Sequence, residues 1–159
     1  MEVAIASLLG TIILMFIGGI WQSFGRNVTA VVAEAGLAHD ARMAMEVLRR
    51  DFNGHLADSP LGTTGEAKLV GRMVSGGELR LCYDMPPVNA AADWTTPDLV
   101  VVYSLTGDQL FRTVQGQSFL VAENVTAFAP LRLVDKTRVE IDLARDGSTR
   151  NLVFIAQDQ

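Results

Sequence analysis

The sequence predicts an α+β fold in which one long N-terminal helix packs by its second half on a C-terminal antiparallel β-sheet. Three observations carry that expectation. Up to about residue 57 the chain contains no proline and its apolar residues recur at helical spacing. Beyond that point the period becomes alternating, and turn residues return every eight to twelve positions. With 159 residues and 17.2 kDa there is room for one compact domain plus a helical extension.

The helix begins with nineteen consecutive uncharged residues, Val3 to Trp21. At ~1.5 Å per residue they span about 28 Å, close to the ~30 Å hydrocarbon core of a bilayer. A secretory signal would open on a basic stretch, whereas here Glu2 leads, so residues 3–21 read as a membrane-inserted segment. Twelve large apolar side chains lie in it, among them Val3, Ile5, Leu8, Leu9, Ile12, Ile13 and Phe16. Burying all twelve is worth roughly 18–36 kcal/mol by area bookkeeping, so a bare monomer is not expected to persist in water. Ala4, Ala6, Ser7, Gly10 and Thr11 are small enough for close helix contact, as small residues are in membrane helices generally. Glu2 has two readings: an acid favoured by the dipole at a helix start, or a carboxylate that needs a cationic partner among apolar helices.

From Gln22 onward the helix becomes amphipathic. Val28, Val31, Ala35, Ala38, Met45, Leu48 and Phe52 sit at helical spacings, and Arg26, Glu34, Asp40, Arg42, Glu46, Arg49 and Arg50 form the polar face. Gly18, Gly19 and Gly25 mark a place for bending or local unwinding, since each glycine costs a helix interior roughly 1 kcal/mol. Asp58, Ser59, Pro60 and Gly62 are the expected terminators, which divides the chain into a helix over 1–57 and a β-rich head over 58–159.

The clearest strand is Thr137 to Leu143, where Val139, Ile141 and Leu143 alternate with Glu140 and Asp142. Lys68–Ser75 and Glu78–Tyr83 form a hairpin through Gly76-Gly77, and Asp98–Leu105 and Gln109–Val114 form another around Thr106-Gly107-Asp108. Ser118–Val121, Asn124–Phe128, Leu131–Val134 and Asn151–Ile155 complete the expected set. Asp84 to Pro97, with three prolines, is a long loop. The amphipathic half of the helix supplies the layer on which the sheet packs.

A formal charge of -5 and a pI near 4.9 argue against a partner built of phosphate backbones, so no nucleic acid is expected. The single Cys82 cannot form an internal disulfide or a cysteine-rich zinc site, and as a lone thiol in a strand pattern it reads as a small buried apolar residue. The two histidines, His39 and His55, fall on the helix, outside any nucleophile elbow or zinc-binding motif. Asp51 and His55 share a helical face and read as a solvated or capping pair. The Asn-x-Thr triplets at Asn27 and Asn124 are too short to assign. These readings favour a non-enzymatic chain without metal or cofactor.

An apolar helix led by a glutamate, an amphipathic continuation and a β-rich tail together resemble the type IV pilin and type II secretion pseudopilin family. Met1-Glu2-Val3-Ala4 looks like part of that family's mature start, with Glu2 on its N-terminal glutamate. The family's leader and three residues would then precede Met1, and a methylated N-terminus would lie there. The stretch from Asp40 to Phe52, Asp-Ala-Arg-Met-Ala-Met-Glu-Val-Leu-Arg-Arg-Asp-Phe, looks like the helix end of minor pilins and J-type pseudopilins. Val121-Ala-Glu-Asn-Val-Thr-Ala-Phe128, followed by a hairpin over Arg138 to Phe154, is similar to their last strands.

What the resemblance implies is a structural filament subunit, minor or initiating, held first in the bacterial inner membrane with its head in the periplasm. Glu2 would pair with a neighbour's N-terminal amine, and Val3, Ile5, Leu8, Leu9, Ile12, Ile13 and Phe16 would enter membrane lipid and then the filament core. Partners would be other pilin or pseudopilin subunits and, indirectly, an inner-membrane platform with its ATPase. A calcium loop of the sort some relatives carry is not expected. A major subunit is an alternative within this reading; a single-span periplasmic binding or scaffold module is the alternative of another class.

Overall fold

The structure, a computed structural model, describes residues 2–55 and 67–157, with side chains from Ser7 onward. Helix α1 (Glu2–Phe52) is 51 residues long and therefore about 76 Å from end to end. It runs through Gly18, Gly19 and Gly25 without unwinding, contrary to the sequence expectation. Propagating a helix costs far less than starting one, so these three glycines weaken the ladder without breaking it.

The helix also ends earlier than expected, at Phe52 and not at residue 57. Its stop is a glycine cap: the His55 N–H donates to the Arg50 carbonyl at 2.9 Å and the Gly54 N–H to the Asp51 carbonyl at 2.9 Å. Gly54 adopts a φ of 77°, and a Cβ there would lie 2.2 Å from the Ala67 carbonyl oxygen. The expected terminators Asp58, Ser59, Pro60 and Gly62 lie outside the described residues.

The head contains two antiparallel sheets where one was expected. The first has β1 (Lys68–Ser75), β2 (Glu78–Asp84), β3 (Leu99–Thr106), β4 (Gln109–Val114) and β5 (Gln117–Ala122), paired in chain order. The second has β6 (Val125–Arg132), β7 (Lys136–Arg145) and β8 (Ser148–Gln157), again in chain order. Both expected hairpins form, with Ser75 opposite Glu78 across Gly76-Gly77 and Thr106 opposite Gln109 across Gly107-Asp108. Two-residue turns at Gln115-Gly116 and Asp146-Gly147, with all four φ values positive, close two further hairpins.

The expected strands Asn124–Phe128 and Leu131–Val134 are one continuous strand, β6. Pro130 lies within it, which an edge strand tolerates because one side of its ladder is unpaired. Between the sheets Asn124 takes a left-handed backbone, φ 58°; its carbonyl accepts from Ala144, and the next N–H, of Val125, donates to Asp108. Those two bonds tie the crossover to both sheets.

A single core joins the three layers. Strand β6 faces β1, β3 and β4, while α1 lies against β5, β7 and β8. The helix contributes Leu37, Ala41, Ala44, Leu48 and Phe52; the first sheet adds Leu79, Leu81, Tyr83, Val101, Tyr103 and Leu110; the second adds Phe128, Val139, Ile141 and Leu143. The inner face of α1 begins at Ala33 and mixes the alanines Ala33, Ala41 and Ala44 with Leu37, Leu48 and Phe52, while Val28, Val31 and Ala35 are left exposed. Small side chains let the helix axis approach the strands closely. At Gly36 a Cβ would meet the Arg145 guanidinium at 2.8 Å.

Candidate assembly surface

Before it meets the head, α1 projects free. Leu8, Leu9, Ile12, Ile13 and Phe16 are all exposed, over 43% to 71% of their surface. Leu14, Met15, Ile17, Ile20 and Trp21 are exposed as well, so apolar surface runs around the whole circumference. A helix that is apolar on every side requires burial in lipid or among other helices. This one is long and apolar enough to cross a membrane.

Two hydroxyls in the free segment are satisfied from within. Thr11 Oγ1 donates to the Ser7 carbonyl at 2.9 Å and Thr29 Oγ1 to the Gly25 carbonyl at 3.0 Å, so neither hydroxyl enters an apolar phase without a partner. A Cβ at Gly10, Gly18, Gly19 or Gly25 would meet nothing within 4 Å. No contact inside this chain requires those glycines. Glu2, Val3 and Ile5 are on the helix backbone, and their side chains lie outside the described residues.

At its other end the helix is fastened by a buried ion pair. Asp51, two residues before the cap, is 2% exposed and meets Arg112 from β4 in a two-pronged contact, Nε to Oδ2 at 2.6 Å and Nη2 to Oδ1 at 2.9 Å. Arg112 takes an inward position between Leu110 and Val114, directly opposite Tyr103 of β3. The Tyr103 hydroxyl donates to Asp51 Oδ2 at 2.5 Å, and the Tyr83 hydroxyl of β2 donates to the Asp51 carbonyl at 2.7 Å. Three strands thereby converge on one helical residue.

Burial works against the Arg112 charge, but the hydrogen bonds and negative charge of Asp51 outweigh it and hold the guanidinium above its ordinary value. Burial first, and then the neighbouring Asp51 charge, pushes both tyrosine hydroxyls well above theirs. Neither Arg112 nor either tyrosine is poised to exchange a proton near neutrality, and the cluster serves as an anchor. Beside it, Phe52 packs its ring 5.1 Å from that of Phe154, with the Arg72 guanidinium 5.3 Å from the Phe52 ring centre. The sequence reading of Asp51 and His55 as a solvated or capping pair is corrected for their side chains: Asp51 is buried against Arg112, and His55 is exposed beyond the helix end, while the Asp51 carbonyl and the His55 N–H both take part in the cap.

Comparison with protein-family models, with curated proteins and with solved structures finds no match.

The loop after β2, expected over Asp84 to Pro97, spans residues 85–98 and is stitched by aspartates at its two ends. Asp84 accepts from the backbone of Asn89 at 3.2 Å and Ala90 at 2.7 Å. Asp98 accepts from the backbone of Met85 at 3.2 Å and Asp93 at 2.9 Å. Those bonds, the Asp93 N–H foremost, hold the Asp98 carboxyl below its ordinary value. Cys82 is buried and its thiol donates to Asp98 at 3.4 Å. Burial, followed by Asp98, pushes the thiol up to about 12, which removes the thiolate on which nucleophilic chemistry depends. Among the described residues, no group of three or more His, Cys, Asp and Glu side chains could hold a metal ion.

Proposed function

We propose that this chain is a non-catalytic structural subunit of a type IV pilus-like or type II secretion pseudopilus filament, in a minor or initiating role. The observation that supports this reading is the division of one unbroken 51-residue helix into two halves with opposite needs. The first half is apolar on all sides and free; the second is sewn to a β head by a face of alanine, leucine and phenylalanine and by a buried ion pair. Such a part can sit in a bilayer and later exchange lipid for neighbouring helices without altering its head.

In this proposal the helix spans the inner membrane with the head in the periplasm, and Leu8, Leu9, Ile12, Ile13 and Phe16 then enter the filament core. Glu2 pairs with the N-terminal amine of an adjacent subunit, because a carboxylate among apolar helices is costly without a cation. Replacing Glu2→Ala is therefore expected to abolish or strongly reduce incorporation into filaments, read as the amount of this chain in sheared surface filaments against the amount left in membranes. Undiminished incorporation would remove the assembly role of Glu2. A chain found only in membranes, with or without the substitution, would favour a single-span anchored module.

A further inference from the structure

A bilayer accounts for about 20 residues of helix, so a crossing that starts at Val3 ends near Gln22. The head first buries the helix at Ala33. The ten or so residues between, about 15 Å of helix, are covered by neither. In this interval the large apolar residues gather along one stripe, with Val32, exposed over 57% of its surface, on its flank and Ala30 on the polar side. Phe24, Val28, Val31 and Ala35 follow one another at spacings of four, three and four, while Gln22, Ser23, Arg26, Asn27, Thr29 and Glu34 take other positions.

Phe24, Val28 and Val31 are exposed over 44% to 65% of their surface, and Ala35 is exposed as well. At 3.6 residues per turn the stripe is centred roughly 150° around the helix from Ala33, Leu37, Ala41, Ala44 and Leu48, which face the head. It points away from β5, β7 and β8, the strands that pack on α1. The same alternation continues upstream through Trp21, Ile17, Leu14 and Gly10.

Alternating steps of three and four are the spacing at which one helix seats another alongside it. With α1 in a bilayer, a parallel partner at the same height is a helix that enters the bilayer in the same sense. A second copy of this chain meets that condition and presents the same stripe at the same level. In parallel register Glu34 of one copy flanks the imidazole of His39 in the other, an acceptor beside a donor. Arg42 falls on the next seam position after Ala38 and would place like charges face to face, which ends the seam there.

We propose that Trp21, Phe24, Val28 and Val31 form a self-pairing seam through which two copies of this chain associate as parallel helices at the membrane surface. The proposal goes beyond the filament reading, since it requires only that α1 sits in a bilayer. Its test uses the purified full chain, alone in lipid vesicles, with single cysteines at positions 28, 29, 30 or 31 and mild oxidation. Cys82 is retained because it is buried in the head.

Val28→Cys and Val31→Cys are expected to yield a disulfide-linked species of twice the 17.2 kDa chain mass, whereas Thr29→Cys and Ala30→Cys stay monomeric. Equal cross-linking at all four positions, or none at any, overturns the seam. Because no other protein is present in the vesicles, this outcome is independent of what Glu2→Ala does to filaments.

Discussion

Asp51 ties the end of the helix to three strands. Its carboxylate holds Arg112 and Tyr103, and its carbonyl holds Tyr83 and the cap at Gly54. Removing one member of a buried pair strands the other charge, so Asp51→Ala is expected to destabilise the head by about 3–5 kcal/mol. Replacing both partners, Asp51→Leu with Arg112→Leu, is expected to recover much of that loss, because the stranded charge goes too. Thermal unfolding of the three chains in detergent measures both effects. The same residues set the pH response. Cys82, Tyr83 and Tyr103 hold their protons to higher pH when folded than when unfolded, so the stability they contribute is complete below pH 9 and declines as pH rises. Cys82→Ala is expected to flatten the part of that decline between pH 9 and about 12. Asp98 has the opposite sign: its carboxyl is held down when folded, so its contribution is present above the ordinary carboxylate value of 3.8 and is lost as pH falls below it. Unfolding midpoints measured across pH trace both limbs.

Among the elements, the helix stop offers a clean comparison. Gly54→Ala meets both a left-handed backbone and a carbonyl oxygen 2.2 Å away, whereas Gly76→Ala meets a left-handed backbone in open space. Gly76→Ala is expected to cost about 1–2 kcal/mol and Gly54→Ala clearly more, read as the difference between their unfolding midpoints. The elements also separate what the sequence discloses from what it hides. The hairpins at Gly76-Gly77 and Gly107-Asp108 are legible because a two-residue glycine turn fixes its strands locally. Pro130 misleads, since only the sheet order reveals that β6 is an edge. The inner face of α1 is masked by its own chemistry: Ala33, Ala41 and Ala44 carry little apolar signal, while Val28 and Val31 dominate the period and belong to the opposite side. Likewise nothing near Asp51 points to Arg112, which is 61 residues away. The available hint was on the strand, where an arginine takes an inward place between Leu110 and Val114 and so demands a buried acid.

For the whole molecule, the change from free to fastened helix near Ala33 predicts where the chain can be divided. A chain beginning at Thr29 keeps every buried helical residue and drops the segment that is apolar all round. It is expected to stay in solution after detergent removal and to retain the head's unfolding transition, while the full chain sediments. Sedimentation and a melting curve check the two halves of that statement. The fastening has a mechanical side as well. The stripe from Ala33 to Phe52 lies along the rod for about 29 Å, parallel to any pull applied through the free end. Tension on the rod therefore loads that whole stripe in shear, row against row, with the Asp51–Arg112 pair at its far end. A force directed sideways would instead peel the stripe open from Ala33 onward, one turn at a time. The molecule is consequently strong along its own axis and weak across it.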